Sequence, residues 1–218
     1  MKIKYIFCIV SLVVILISPS ILAKDAAVVE PSYAWTISEP LGLRYTSTID
    51  TLQYNYFQQA IPSMASKAYA TTGNLGAEGQ DQIFFDRPAI SNFFFEDALS
   101  VYLPSIKTQK FYNTRIPMTI LSYNTGGTSD NTQDRLSAVF SGNVNKAIEV
   151  GAAMDYIYSK GLYDGQSTSD FTWRVFGSYT GDRYELQAFF NSYNFLNKEN
   201  GGITDDRYIT DPAQVQGG

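Results

Sequence analysis

The sequence predicts an all-β fold, an antiparallel up-and-down meander, from three observations in residues 116–218. Apolar and polar residues alternate with period 2 over five stretches of about nine to eleven residues, the pattern of strands with two different faces. Turn-forming residues separate these stretches, including a tight Gly181-Asp182 hairpin signal. Aromatic residues make up 15% of the chain, and within the stretches many of them lie near the ends.

Each of the five predicted strands has an apolar and a polar face. The strands cover residues 116–124, 135–144, 148–158, 171–180 and 184–191. On the polar faces the candidate functional residues are Glu149, Asp155, Arg174, Glu185 and Gln187. On the apolar faces the rings nearest the strand ends are Tyr156, Trp173, Tyr179 and Tyr184.

The connections between these strands alternate between long and short. Residues 125–134, 159–170 and 194–218 form long polar segments, whereas residues 145–147 and the turn at 181–182 are short. Bacterial outer-membrane barrels have short periplasmic turns and longer outside loops, and their strands need about 9–11 residues. We therefore expect part of a transmembrane β-barrel, with the polar candidates facing a wet lumen and the ring candidates facing lipid. A soluble β-sandwich, whose apolar face packs on a second sheet, is the alternative.

The strand number predicts that the barrel is open and incomplete in this chain. Single-chain bacterial barrels have an even number of strands, eight or more, whereas five are readable here. An open sheet in lipid would also leave unpaired backbone groups at its edges. We expect an amino-terminal fragment of a longer protein; the alternatives are a disrupted gene product and an element that another chain completes.

The first 115 residues divide into two segments of different character. Residues 1–23 have the pattern of a secretory signal peptide, because Lys2 and Lys4 precede an apolar run over residues 5–17 and a small residue, Ala23, precedes the polar boundary. Residues 24–115 are loop-rich with short β-like pieces, and we expect them to pack inside or beneath the barrel, as a plug or on the periplasmic side. Residues 116–218 are the first barrel strands.

Composition argues against most kinds of chemistry. The chain has no histidine, and its one cysteine, Cys8, lies in the predicted signal peptide, which excludes zinc fingers, Ser-His-Asp hydrolases and structural disulfides from the mature protein. A net charge of −5 argues against a nucleic-acid partner. We expect no enzyme activity, cofactor or metal: Glu149, Asp155 and Glu185 are interpreted as lumen charges, and Asp205, Asp206 and Asp211 as an acidic surface loop.

Several short motifs together carry a resemblance to a known family. They are Gly73-Asn74-Leu75-Gly76 with Phe84-Phe85-Asp86-Arg87, Phe111-Tyr112-Asn113-Thr114, Gly161-Leu162-Tyr163, Gly177-Ser178-Tyr179 with Gly181-Asp182-Arg183-Tyr184, and residues 199–208. Spread over residues 33–212, they resemble the amino-terminal third of the putative porin family of the Bacteroidetes. The resemblance implies an outer-membrane β-barrel whose substrate is poorly defined.

Together these observations predict passive passage of small hydrophilic solutes across the outer membrane. The expected partners are outer-membrane lipid, the solutes and the barrel-assembly machinery. If the sandwich alternative holds, we expect instead an exported surface domain that binds glycans or mediates adhesion.

Overall fold

A computed structural model describes residues 32–39, 42–49, 61, 66–87, 89–203 and 205–210, all within one compact unit. The described part is all-β, with antiparallel strands in three sheets, and its helical segments are turns of three or four residues. The predicted signal peptide lies outside the described residues. The strands are β1 (Tyr33–Ile37), β2 (Arg44–Thr48), β3 (Tyr69–Thr71), β4 (Gly79–Asp81), β5 (Phe111–Asn113), β6 (Met118–Gly127), β7 (Thr132–Asn143), β8 (Ile148–Lys160), β9 (Ser167–Thr180) and β10 (Glu185–Lys198).

The main sheet is the predicted meander of five strands. Its order is β10-β9-β8-β7-β6, so each strand pairs with its neighbours in sequence, and the sheet is not closed. The register joins Leu136 of β7 to Tyr156 of β8, and Tyr156 in turn to Phe171 of β9. Side chains of like character therefore line up across the strands, because residues at alternate positions of paired strands share one face of the sheet. This architecture confirms the predicted fold class.

The predicted alternation of long and short loops is wrong. The four connections within the main sheet have four, four, six and four residues, at 128–131, 144–147, 161–166 and 181–184. The strands extend instead, since β10 continues to Lys198 and β6 pairs with β7 as far as Gly127. The sequence analysis interpreted these strand extensions as loops, because they are rich in Thr, Ser, Asn and Gly. The hydrogen bonds of a β-ladder join backbone groups, however, so the ladder continues wherever the backbone stays extended. The two ends of the main sheet therefore differ because the strands continue as polar extensions at one end, and not because long and short loops alternate.

The amino-terminal part packs on one face of the main sheet. Strands β2, β1 and β5 form a three-stranded sheet in that order, and β3 and β4 form a hairpin. We call the described residues of 32–113 the N-terminal layer. The face of the main sheet that it covers is called the inner face, and the opposite face the outer face.

An aromatic core joins the N-terminal layer to the inner face. Phe111 of β5 is fully buried, stacked on Trp35 of β1 with ring centroids 5.9 Å apart and edge-on to Phe176 of β9 at 6.1 Å. Ala34 and Tyr112 complete the buried cluster. A fully buried side chain of this size contributes about 1.5–3 kcal/mol, so these few contacts dominate the packing of the layer.

The outer face is apolar and exposed. Leu186, Phe190 and Val175 are 63%, 58% and 45% exposed, respectively, although their side chains are large and apolar. Within the described residues no second sheet covers them, as a β-sandwich would require. The core of this protein therefore lies on the inner, more polar side of the main sheet.

Candidate functional site

The main sheet separates the two predicted sets of functional residues. Glu149, Asp155, Arg174, Glu185 and Gln187 lie at alternate positions of β8, β9 and β10 that share the inner face. Tyr156, Trp173 and Tyr179 lie at the intervening positions, on the outer face. Tyr184 lies in the turn before β10 and is 78% exposed.

Glu149 lies beneath the N-terminal layer. Its side chain is 3% exposed, and its carboxylate accepts hydrogen bonds from the hydroxyls of Ser141 and Ser178, both at 3.0 Å. These serines occupy the neighbouring strands β7 and β9, so the β-ladder itself sets the contact. In this structure Glu149 is covered by protein groups and not exposed to water. Alternation assigns a residue to a face of the sheet but does not indicate what covers that face.

Asp155 forms an ion pair with Arg135 within the wall of the sheet. The Arg135 Nη2 and Nε atoms lie 2.6 Å and 3.1 Å from the Asp155 carboxylate, on the inner face. The interaction runs diagonally between β7 and β8, since Arg135 pairs with Ile157 in register. Sequence reasoning missed Arg135 as a functional residue, although opposite charges at diagonal positions of adjacent strands are a recognised stabilising pair. The pair holds an acidic and a basic side chain together on the inner face of the sheet.

Arg44 of β2 reaches from the N-terminal layer to the end of β9 and the start of β10. Its Nε atom lies 3.1 Å from the Glu185 carboxylate, and its Nη2 atom donates to the Thr180 hydroxyl at 3.0 Å. The guanidinium also lies over the Trp35 ring, 4.9 Å from the centroid. With its side-chain oxygen turned toward Arg44, Gln187 accepts from Nη2 at 2.9 Å. Glu185 and Gln187, two of the five predicted polar residues, thus bind one arginine that the sequence analysis did not single out.

The Gly73–Gly76 motif docks on the opposite end of the inner face. The Asn74 side-chain amide donates to the hydroxyls of Ser159 at 2.5 Å and Thr168 at 2.9 Å. The Gly76 backbone N–H donates to the Tyr102 hydroxyl at 3.1 Å. The motif therefore anchors the layer to the paired ends of β8 and β9.

Burial raises the pKa values of two tyrosines of the N-terminal layer, Tyr102 and Tyr112. Burial raises the pKa of Tyr102 to about 12, although the hydrogen bond from Gly76 acts in the opposite direction. Burial also raises the pKa of Tyr112, and nearby Glu149 acts in the same direction, whereas Arg174 opposes it. Both phenols therefore keep their proton to a higher pH than an exposed tyrosine does.

In the acidic segment near residue 205, Asp205 is paired with a neighbouring arginine. Asp205 forms an ion pair with Arg207 at 2.6 Å, and these hydrogen bonds hold the pKa of Asp205 below its usual value. Asp211 lies outside the described residues. Across the part of the chain that the structure covers, no group of three or more His, Cys, Asp or Glu side chains is placed to hold a metal ion.

Comparison with known proteins assigns the chain to a family. The family model described as Putative porin matches residues 31–217, a range that includes both the N-terminal layer and the main sheet. The chain belongs to this porin family. No curated protein and no solved structure matches it. Membership of this family indicates a porin-like function, without specifying a solute, and indicates the outer membrane as the location of the protein.

In this member of the porin family, the inner face is largely covered. Phe176 and Ser178 are 5% and 6% exposed beneath the N-terminal layer. A cleft of about 150 Å³ remains at the boundary between layer and sheet, lined by residues that include Trp35 and Lys146. Among the described residues, no helix is both long and apolar enough to span a membrane.

Proposed function

We propose that this chain supplies the first wall strands of an outer-membrane porin through which small hydrophilic solutes pass passively. Residues 1–23 direct export, and assembly uses the barrel-assembly machinery. The proposal assigns no enzymatic step and no cofactor to the chain. The observation that carries it is the segregation of the main sheet into an exposed apolar outer face and a polar inner face.

The outer face has the dimensions expected of a lipid-facing surface. Phe171 and Tyr179 lie eight residues apart on β9, a distance of about 26 Å along a strand. At a tilt of about 40° this becomes about 20 Å along the membrane normal, so both rings fall near the edges of an apolar band about 25 Å tall. Val175, between them, is apolar and 45% exposed. Rings at the ends of a strand and aliphatic side chains in its middle match the aromatic girdles of such barrels.

The inner face supplies the chemistry of a solute path. Asp155, Arg174 and Glu185 give it charges of both signs, and Gln187 and Asn191 add amides. Such residues would be unstable against lipid, since a charge at mid-membrane costs about 2–4 kcal/mol on the lipid face of a barrel. Polar side chains on this face and apolar side chains on the other support a lumen on the inner side.

Liposome swelling with the native protein tests this proposal. Proteoliposomes should swell in neutral sugars at rates that fall with sugar size and do not saturate with concentration. Protein from the outer membrane should begin at Lys24, because Ala23 is the predicted last residue of the signal peptide. A Val175→Lys variant should insert less efficiently than wild type, whereas Asn194→Lys, also on the outer face but in the polar extension, should insert and swell normally.

The opposite result would favour the sandwich alternative. A water-soluble, monodisperse protein that binds glycans and causes no swelling would reject the porin proposal. An intact Met1 on the mature protein would reject export by cleavage.

A further inference from the structure

We propose that a tyrosine-lined cleft on the outer face binds the headgroup of a phospholipid that carries a free ammonium group beside its phosphate. This inference rests on the porin function proposed above, because it requires the outer face to meet lipid. The cleft has a volume of about 420 Å³, which is within the range typical of ligand sites. We call it the tyrosine cup, and its lining residues are Tyr123, Asp134, Leu136, Tyr156 and Tyr158.

The register of three neighbouring strands brings these residues together. Tyr123 of β6 pairs with Leu136 of β7, and Leu136 pairs with Tyr156 of β8. The next row toward the polar strand extensions pairs Asp134 with Tyr158. Paired residues, and residues two positions further along a strand, share one face of the sheet, so all five side chains lie on the outer face. The cup is therefore formed by the main sheet alone and does not involve the N-terminal layer.

The cup lies at the depth where lipid headgroups would lie. Tyr156 is paired with Phe171, one of the two rings near the edges of the apolar band. Asp134 and Tyr158 lie two residues further out, a distance of about 7 Å along the strands. At a tilt of about 40° this becomes about 5 Å along the membrane normal. The carboxylate of Asp134 thus falls just outside the apolar band, where a charge on the lipid face costs far less than at mid-membrane.

Asp134 is the charged group of the cup, and it has no cationic partner in the described part of the chain. Its carboxylate accepts a hydrogen bond from the Tyr123 hydroxyl at 3.3 Å, which does not neutralise the charge. Tyr123 and Tyr156 are 62% and 36% exposed, so the cup is open toward the membrane. The faces of aromatic rings attract cations, and a carboxylate binds most strongly to a charged hydrogen-bond donor. An ammonium group has both properties.

A lysine on the same face supplies the complementary charge for a phosphate. Lys160 lies two residues beyond Tyr158 on β8, so it shares the outer face with Asp134. It is exposed and forms no ion pair with Asp134 or with another acidic residue that the structure describes. Diagonal positions on adjacent strands are about 7–8 Å apart, so one zwitterionic headgroup can bridge the two side chains. Its ammonium group would bind Asp134 and its phosphate Lys160, as in phosphatidylethanolamine.

Native mass spectrometry of the detergent-solubilised native protein with added lipid tests this site. The probes are phosphatidylethanolamine and phosphatidylglycerol, which share the phosphate and differ in the ammonium group. Wild type should bind phosphatidylethanolamine about threefold to tenfold more tightly, as expected for an exposed cation–π contact combined with an exposed ion pair. Asp134→Asn should bind the two lipids almost equally, because the amide carries no charge but can still accept a hydrogen bond from Tyr123.

Two further variants separate the cup from general effects of charge. Asp130→Asn removes the same charge from the neighbouring turn at 128–131, outside the cup, and should keep the wild-type preference. Lys160→Gln should weaken the binding of both lipids by about twofold to fivefold and leave their ratio unchanged, because both lipids carry the phosphate. An equal loss of preference in Asp130→Asn and Asp134→Asn would overturn the cup as the site.

The outcomes distinguish the lipid site from the pore, because liposome swelling reports on the inner face and the cup lies on the outer face. If the protein swells liposomes but Asp134→Asn keeps the lipid preference of wild type, the pore stands and the lipid site is overturned. If the preference depends on Asp134 but the protein causes no swelling, the porin proposal fails and the lipid site stands. If Lys160→Gln binds both lipids as tightly as wild type does, the phosphate does not bind Lys160 and the proposed orientation of the headgroup is wrong.

Discussion

Replacing Gly76 with alanine should weaken the docking of the N-terminal layer on the ends of β8 and β9. Gly76 has φ of 87°, in the left-handed region that favours glycine. A Cβ atom at this position would lie 2.6 Å from both Asp170 Oδ2 and Thr168 Cγ2, and 3.3 Å from Ile157 Cγ2. These three side chains are themselves buried on the inner face, so they cannot move aside without disturbing the sheet.

The expected cost has two parts. Holding a residue with a Cβ in left-handed backbone costs about 1–2 kcal/mol. Forcing an extra methyl group into a packed site costs about 1–3 kcal/mol more. We therefore expect Gly76→Ala to reduce the free energy of unfolding by about 2–5 kcal/mol, with the loss concentrated in docking of the layer.

Gly165 offers a matched control for the backbone term. It has φ of 78° in the turn between β8 and β9, and a Cβ atom there would meet no atom within 4 Å. Gly165→Ala should therefore cost about 1–2 kcal/mol, and the difference between the two variants isolates the close approach of Gly76 to the wall.

Tryptophan fluorescence can follow the loss of docking. The chain has two tryptophans, of which Trp35 is buried in the aromatic core and Trp173 lies on the outer face. In a Trp173→Phe background, urea titration of the detergent-refolded protein reports on Trp35 alone. Equal midpoints for Gly76→Ala and Gly165→Ala would refute the reasoning, since the packing against Asp170 and Thr168 would then contribute nothing.

Three other perturbations test the core, the outer face and a buried phenol. Phe111→Ala should destabilise the protein by about 3–5 kcal/mol in the same urea titration, because the Phe111 ring is fully buried. The control, Phe85→Ala, should change stability very little, because Phe85 is 91% exposed. Similar losses of stability in the two variants would contradict the assignment of the core. Val175→Lys should cost about 2–4 kcal/mol of stability in lipid vesicles, and Asn194→Lys should be tolerated; equal tolerance would contradict the lipid-facing assignment. The pKa of Tyr102, raised by burial from 10.0 to about 12, means that the unfolded chain loses this proton before the folded one does, so stability should fall as pH rises from about 10 to 12. Tyr102→Phe should remove that part of the pH dependence, and an unchanged alkaline profile would show that the buried phenol is not its source.

The assignment of residues to faces could be predicted from the sequence. Asp155 and Tyr156 lie on opposite faces of β8, as their adjacent positions predict. This inference needs no tertiary contact, because successive side chains of a strand point to opposite sides. The order of the five strands was also predictable, since tight turns between consecutive strands place sequence neighbours side by side.

The limits of the strands depended on backbone pairing, which composition does not reveal. Strand β10 continues through Asn194 and Asn197 to Lys198, in a segment whose polar residues are typical of loops. Its backbone pairs with β9 down to Ser167, and a formed ladder can extend through residues of low strand propensity.

Only the tertiary structure decided what covers the inner face. Arg44 and Thr180 are 136 positions apart, and no pattern in the sequence between them predicts their contact. The burial of Glu149 follows from the N-terminal layer and not from any property of β8. Alternation is a local property of one strand, so the sequence determined the direction of each side chain. The partners of Arg44 and Asn74 depend on how distant segments pack together, and those contacts form only when the chain has folded.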